Sequence, residues 1–204
     1  MENIKVCILN YGSGNTKSVF NILKYLNANV IISNSPEDIK SSTHLILPGV
    51  GSFGSSIEKI RMNIPVEIVE NEVLNYKKPF LGICVGMQVL AEKGYEFGTF
   101  KGLGWIPGEV KKIESGKLPL PHIGWNSIEI IKDVQLLSSF KSNQDFYFVH
   151  SFAVETDDNY IIAETEYGQE FTSIIVKENI CGVQFHPEKS QKAGKILLEN
   201  FLYI

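Results

Sequence analysis

The residue that points most clearly to covalent chemistry is Cys84, which stands between Gly82 and Gly86 in the segment GICVG. A glycine two residues to either side of a nucleophile is typical of a sharp strand-to-helix turn that exposes the side chain. Such a turn places the thiol at a helix N-terminus, where partial positive charge favours the thiolate. The pattern predicts a nucleophilic cysteine. A buried thiol at the end of a strand is the alternative.

A candidate base and a carboxylate follow much later in the chain, in the segment FHPEKS. His186 and Glu188 are two residues apart, so in an extended segment both side chains project to one face. Pro187 favours an extended path at His186. The pair suits a histidine that accepts the thiol proton and a carboxylate that orients the imidazole. A solvated surface loop is the alternative for HPE alone, but together with the cysteine turn it predicts a Cys84–His186–Glu188 triad.

An acyl intermediate also requires hydrogen-bond donors for its developing negative charge. The segment PGVG (residues 48–51) follows a predicted strand and can present main-chain N–H groups at the same edge of the sheet. Gly49 and Gly51 allow unusual φ values and a close approach of the main chain to a substrate. The N–H of Val85, next to the nucleophile, is a second expected donor. An ordinary tight turn is the alternative for PGVG.

Alternating strands and helices must position these residues in the first half of the chain. Strands are predicted over residues 4–9, 30–33, 44–47 and 79–83, and helices over 16–26, 36–40, 55–76 (with a break at Pro65) and 85–92. Strands that alternate with crossovers of this length predict a parallel sheet flanked by helices. Ligands bind beyond the carboxyl ends of such strands, which is where Cys84 and PGVG lie.

The second half has the pattern of short strands joined by turns. Strands are predicted over residues 110–113, 125–131, 146–149, 153–156, 161–166, 173–176 and 181–184, and a closing helix over 196–202. We therefore predict one α/β domain over residues 1–204, with a largely parallel central sheet flanked by helices and a more antiparallel second half.

The composition restricts the class of protein. The chain has 204 residues, 44% hydrophobic and 21% charged, with a net charge of −4. These values are typical of a soluble globular protein and give no reason to expect nucleic-acid binding. No run approaches the roughly 18 apolar residues of a membrane helix. The three cysteines form no CxxC pair and no metal-ligand spacing, which predicts free thiols in a reducing cytoplasm and neither a metal nor a cofactor.

In its motifs the chain resembles the class I, or triad-type, glutamine amidotransferases. PGVG, GICVGMQ and FHPEKS occur in that family's order and at its usual separations. Within the family the chain is most similar to the glutaminase subunits of imidazole glycerol phosphate synthase, which serve histidine biosynthesis. The segments that carry this similarity are NYGSGN, LPGVGSF, GICVGMQVL, GWN, YFVHSF and FHPEKS, and they run from residue 10 to residue 190.

The resemblance implies an activity and a set of residue roles. Cys84 would attack the side-chain amide of glutamine to give a γ-glutamyl thioester and ammonia, while His186 transfers protons and later activates water. In such subunits the PGVG turn holds an inactive peptide orientation until the partner is engaged, with the N–H of Val50 as the oxyanion donor. The residues matched to glutamine binding are Gly49, Gly51, Gln88, Glu96, Ser151 and Phe152, and those matched to partner contacts are Asn15, Tyr147 and Lys189.

The resemblance also implies a partner, a (βα)8-barrel cyclase that forms a heterodimer with the glutaminase. The cyclase receives ammonia through a tunnel and forms imidazole glycerol phosphate and an aminoimidazole carboxamide ribonucleotide. We expect no acceptor domain within these 204 residues, and free ammonia is lost to protonation in water, so a sealed interface is required. Three alternatives stay open: the same chemistry for a different synthase, such as one that amidinates a surface sugar; a cysteine hydrolase that needs no partner; and a non-catalytic binding scaffold.

Overall fold

The computed structural model describes residues 4–140 and 144–204. Its strands, in chain order, are β1 (Lys5–Ile8), β2 (Asn29–Ile32), β3 (His44–Gly49), β4 (Phe80–Cys84), β5 (Lys93–Gly94), β6 (Phe100–Lys101), β7 (Glu109–Lys112), β8 (His122–Ile130), β9 (Gln144–His150), β10 (Phe152–Glu155), β11 (Ile161–Tyr167), β12 (Gln169–Lys177) and β13 (Ile180–Val183). The helices are α1 (Thr16–Tyr25), α2 (Pro36–Ser41), α3 (Phe53–Asn63), α4 (Val66–Glu70), α5 (Val85–Gln88) and α6 (Gln191–Phe201).

A nine-stranded sheet in the order β2-β1-β3-β4-β13-β12-β11-β8-β9 forms the centre of the fold. The strands from β2 to β13 in that order pair in parallel, and those from β13 to β9 pair antiparallel. The predicted α/β fold, parallel in its first half and more antiparallel in its second, is therefore confirmed.

Burial explains why the central strands read as continuous apolar runs in the sequence. Every residue of β3 (HLILPG) and of β4 (FLGIC) is buried, as expected of parallel strands covered on both faces. The amphipathic helices around them bury one stripe each, for example Val19 and Leu23 of α1, and Leu197 and Leu198 of α6. The carboxyl ends of β3 and β4 therefore lie at one rigid edge of the sheet.

A second, four-stranded sheet in the order β10-β7-β5-β6 differs from the expectation. The sequence predicted strands near β7 and β10, but β5 and β6 are two residues long each and carry no readable periodicity. The helix predicted over residues 85–92 is also shorter, because α5 ends at Gln88. The carbonyls of Val89, Leu90 and Ala91 accept main-chain N–H groups of residues 103–106, and this pairing with a distant loop stops the helix.

Two other boundaries follow from proline. The helical stretch predicted over residues 55–76 is interrupted as expected, since α3 ends at Asn63 and α4 begins just after Pro65. The strand predicted from residue 125 already begins at His122, directly after Pro121. Within the described residues, no helix is both long enough and apolar enough to cross a membrane.

A buried ion pair links α2 to the π-helical segment Asn71–Asn75, which directly follows α4. Lys78 Nζ lies 2.8 Å from Glu72 Oε2, with 8% and 10% of the two side chains exposed. The same ammonium group donates to the carbonyls of Ile39 (2.7 Å) and Lys40 (3.0 Å) at the end of α2. These contacts satisfy a charge that could not stay buried alone.

We expect Lys78→Met to lower the free energy of unfolding by about 3–5 kcal/mol, because the Glu72 carboxylate is left buried without its partner. Lys77→Met is the matched control, since the neighbouring Lys77–Glu178 pair is 58% and 65% exposed and contributes at most about 1 kcal/mol. Urea denaturation followed by tryptophan fluorescence measures both. Equal losses for the two variants would contradict this account of the ion pair.

Candidate active site

The Cys84 turn has the geometry that the flanking glycines predict. Cys84 ends β4 and caps α5 with φ 55° and ψ −114°, a conformation that costs energy in a residue with a side chain. A Cβ added to Gly82 would lie 2.5 Å from the Gly86 carbonyl oxygen, and one added to Gly86 would lie 1.9 Å from the Leu47 carbonyl oxygen. Only glycine fits at positions 82 and 86, two residues before and after the nucleophile. The turn between them therefore holds Cys84 in place.

His186 and Glu188 are held behind the thiol by β9 and by Asn15. The N–H of His186 donates to the Tyr147 carbonyl (2.9 Å), which fixes the main chain beside β9. Residue 186 is extended, as predicted, but Pro187–Lys189 forms a 3-10 turn, and this turn brings the carboxylate back to the imidazole. Glu188 Oε1 lies 2.9 Å from His186 Nδ1 and also accepts from Asn15 Nδ2 at 3.1 Å.

The imidazole of His186 is charged in this environment. Burial lowers the pKa of His186, but its interactions with Cys84 and with Glu188 outweigh burial and raise the pKa to about 10. Cys84 therefore lies beside a charged imidazole, the kind of partner that a catalytic cysteine has. Burial raises the pKa of Cys7 to about 11 and that of Cys181 to about 12. Those thiols stay protonated and unreactive at neutral pH.

A pocket of about 280 Å³ opens over the thiol. The volume lies just below the roughly 300–1,000 Å³ of sites for drug-sized ligands, which suits a molecule of amino-acid size. The predicted site residues that line it are Val50, Gly51, Cys84, Val85, Gln88, Glu96, Ser151, Phe152, His186 and Lys189. Pro121, Val149 and His150 complete the lining. Among the described residues, no group of three or more His, Cys, Asp or Glu side chains is placed to hold a metal ion.

Two polar side chains of the pocket are fixed by hydrogen bonds to the main chain. Glu96 Oε2 accepts from the N–H of Phe53 (2.9 Å), the first residue of α3. Gln88 Nε2 donates to the carbonyl of Phe152 (2.8 Å) and to Gln184 Oε1 (2.9 Å). Both side chains are thus pre-positioned before any ligand enters.

The glycine turn after β3 divides into a packed part and a part that faces the pocket. Gly49 lies behind the pocket, where an added Cβ would approach the N of Gly86 to 2.5 Å and Tyr11 Oη to 2.9 Å. Val50 and Gly51 line the pocket, and Ser13 Oγ donates to the carbonyl of Val50 at 3.2 Å. Close packing therefore requires glycine at position 49, and the role of Val50 as an oxyanion donor stays a prediction.

Of the residues matched to a partner, Lys189 lines the pocket and Tyr147 stands next to Lys189. Lys189 Nζ stands 5.6 Å from the ring centroid of Tyr147, and the Trp125 ring lies 6.0 Å from the same ring. Trp125 and Ile123, which sequence reasoning did not select, are 48% and 59% exposed on one face of β8. The signal was their spacing of two residues, which places both on the same side of a strand.

The sequence matches a known protein family along nearly all of its length. The model described as "Glutamine amidotransferase class-I" matches residues 7–204. The chain is 40% identical over 199 residues to "Imidazole glycerol phosphate synthase subunit HisH" of Archaeoglobus fulgidus, covering 98% of each chain. It is 44% identical over 195 residues to the protein of that name from Methanocaldococcus jannaschii, covering 96% of this chain and 97% of the relative.

Solved structures share the fold at lower identity. A glutamine amidotransferase crystal structure superposes with a TM-score of 0.75 at 18% identity, covering 97% of both chains. The structure of PurLQS from Thermotoga maritima gives a TM-score of 0.72 at 17% identity, covering 98% of both chains. At this level of identity the likeness concerns the fold alone.

We expect Glu188→Gln to slow the alkylation of Cys84 by iodoacetamide near neutral pH by about tenfold or more. Without the carboxylate charge the pKa of His186 falls from its value of about 10, so the cation beside the thiol is less stable. Mass spectrometry of the Cys84 peptide measures the rate. Glu178→Gln, at an exposed carboxylate, is the control and should react like the wild type. An unchanged rate in Glu188→Gln would show that the carboxylate does not support the charged imidazole.

Proposed function

This chain belongs to the class I glutamine amidotransferase family, and we propose that it is the glutaminase subunit of an imidazole glycerol phosphate synthase. It hydrolyses L-glutamine to glutamate and ammonia and serves histidine biosynthesis. The observation that carries the chemistry is that Cys84 and His186 line one pocket, while Glu188 Oε1 lies 2.9 Å from His186 Nδ1. Sequence identities of 40–44% over nearly the full length to proteins named as this subunit support the choice of synthase.

The reaction proceeds in two covalent steps. The Cys84 thiolate attacks the amide carbon of glutamine, and the imidazolium of His186 gives its proton to the leaving nitrogen, so that ammonia departs and a γ-glutamyl thioester remains. His186, now neutral, takes a proton from water as the water attacks the thioester. Glutamate leaves, and the proton on His186 together with the freed thiolate restores the starting ion pair. Glu188 holds the imidazole ring throughout.

The negative charge that develops on the amide oxygen requires donors, and we assign them to the main chain. The N–H of Val85 stands at the start of α5, directly after the nucleophile, and the N–H of Val50 belongs to the turn that follows β3, the strand beside β4. Gly51, Gln88, Glu96, Ser151 and Phe152 form the remaining walls and hold glutamine in our proposal. Glu96, as the acidic member of this set, receives the substrate ammonium.

The ammonia acceptor in this proposal is a (βα)8-barrel cyclase that forms a heterodimer with the chain. We place its docking surface on Asn15, Tyr147 and Lys189, together with the exposed Trp125 and Ile123 of β8. Interface centres are enriched in aromatic side chains, and the exposed Trp125 packs here against the half-buried Tyr147. Because Lys189 lines the pocket as well, the surface adjoins the site where ammonia is released. A free thiol that must stay reduced supports a place in the cytoplasm.

The proposal is tested by glutamine turnover of the purified chain, alone and mixed with the barrel cyclase and the nucleotide ligand of that cyclase. We expect Cys84→Ala to lower glutamate release by at least about a thousandfold, because no other group forms the thioester. Cys181→Ala, which removes a buried thiol of β13, is the control and should stay active. We also expect the cyclase to raise the rate of the wild-type chain.

Two outcomes would count against the proposal in different ways. Turnover that survives in Cys84→Ala would exclude the cysteine mechanism. A wild-type chain that hydrolyses glutamine but neither binds nor responds to the cyclase would exclude the histidine-pathway synthase, and the same chemistry would then serve another acceptor, such as an enzyme that amidinates a sugar.

A further inference from the structure

A line of hydrogen bonds runs from β8 to the pocket through two buried histidines that take no part in the triad. His122 and His150 are 3% and 6% exposed and face each other across β8 and β9. His122 Nδ1 lies 3.1 Å from His150 Nε2, and His150 Nδ1 lies 3.0 Å from the carbonyl oxygen of Phe152. On the other side, Asn126 Nδ2 lies 3.4 Å from His122 Nε2.

The groups at the two ends assign a proton position to every ring nitrogen. Asn126 Oδ1 accepts a hydrogen bond from the N–H of Ser127 (2.8 Å), so the Nδ2 atom of Asn126 must face His122. An amide nitrogen can only donate a hydrogen bond. His122 Nε2 is therefore the acceptor, and its proton is on Nδ1, pointing at His150. From the other end, a carbonyl only accepts, so His150 carries its proton on Nδ1 and presents a bare Nε2. Both ends give the same arrangement.

The surroundings keep both rings neutral, as this arrangement requires. Burial lowers the pKa of His122 to about 4 and that of His150 to about 3. The His122 ring is stacked between the rings of Phe148 and Tyr167, at centroid distances of 5.0 Å and 4.0 Å. Each ring then has one donor and one acceptor, and each is used in the line.

The line ends on the main chain that forms one wall of the pocket. The carbonyl of Phe152 accepts from His150 Nδ1 and from Gln88 Nε2, at 3.0 Å and 2.8 Å. Two neutral hydrogen-bond donors on this one carbonyl fix the orientation of the peptide group that follows Phe152. Ser151 and Phe152 line the pocket, so the direction in which this segment faces a ligand depends on His150, and the orientation of His150 depends on His122.

We propose that His122 is a positioning residue for glutamine, which acts through His150 on the main chain of Ser151 and Phe152. The inference rests on the proposed function of the pocket and extends it to a residue outside the pocket lining. Without the Nδ1 proton of His122, the bare Nε2 of His150 is buried with no donor. The ring of His150 is then no longer held on its Nε2 side and can turn, and the carbonyl of Phe152 loses a donor. Glutamine binding weakens, while Cys84, held by its own turn, keeps its reactivity.

The test uses a diazoketone analogue of glutamine, which alkylates the nucleophile only after it occupies the glutamine site. We expect His122→Phe to raise the half-saturating concentration of the analogue about tenfold, the effect of one lost hydrogen bond. Its limiting labelling rate and the rate with iodoacetamide, which needs no glutamine site, should stay within about twofold of wild type. His122→Asn keeps an N–H donor near the position of Nδ1 and should recover most of the affinity.

His44→Phe is the matched control, because it removes another buried histidine, in β3, that takes no part in this line. It should leave the half-saturating concentration unchanged. Unchanged half-saturation in His122→Phe, or an equal rise in His122→Phe and His122→Asn, would overturn the positioning role. A wild-type chain that reacts with iodoacetamide but not with the analogue would instead overturn the proposed glutamine site, and this inference with it.

Discussion

The close approach of two main-chain segments at the ends of β3 and β4 is the constraint on which the active site depends. Gly86 packs against the Leu47 carbonyl and Gly49 packs against the N of Gly86, at distances that exclude any Cβ. The nucleophile between these contacts has a positive φ of 55°. The pairing of Gly49 with Cys84 puts the thiol and the turn after β3 side by side, and Val50, Gly51 and Cys84 line one small pocket. The position of the nucleophile at this edge of the sheet therefore depends on contacts between main-chain atoms.

Strand pairing supplies the rest of the triad from far along the chain. β13 lies parallel to β4, with Val183 opposite Ile83, so the chain that leaves β13 passes directly beside the thiol and reaches His186. The imidazole and Glu188 are almost fully enclosed, with 4% and 0% of their side chains exposed. Because water is largely excluded from this site, the charged imidazole requires a negatively charged group close to it. Among the described residues, Glu188 Oε2 is buried without a hydrogen-bond partner, so Oε1 alone contacts both the imidazole and Asn15.

The parallel half of the sheet could be predicted from the sequence, and the motifs predict the triad residues, because each follows from local spacing. A nucleophile between two glycines and an HPE segment can be recognised without knowing what lies next to them. The early end of α5 could not be predicted, since it depends on carbonyls that bond to residues 103–106. Pro121 and Val149 were missed as pocket residues for the same reason: loops from separate strands bring them there, and their types carry no chemical signal. His122 was hidden because its partners, Asn126 and His150, are identified only once β8 and β9 are paired.

The hairpin of β8 and β9 carries two different tasks on its two faces. Trp125 pairs across the strands with Tyr147 on the exposed side, and His122 pairs with His150 on the buried side. Alternation along a strand makes this division unavoidable, because neighbouring residues point in opposite directions. Under the proposed function, a partner that docks on the exposed side and glutamine that rests against Ser151 and Phe152 both act on the same two strands. A shift of β8 relative to β9 would change the distance between the two histidines, so the hairpin itself provides a short physical connection between docking and substrate binding.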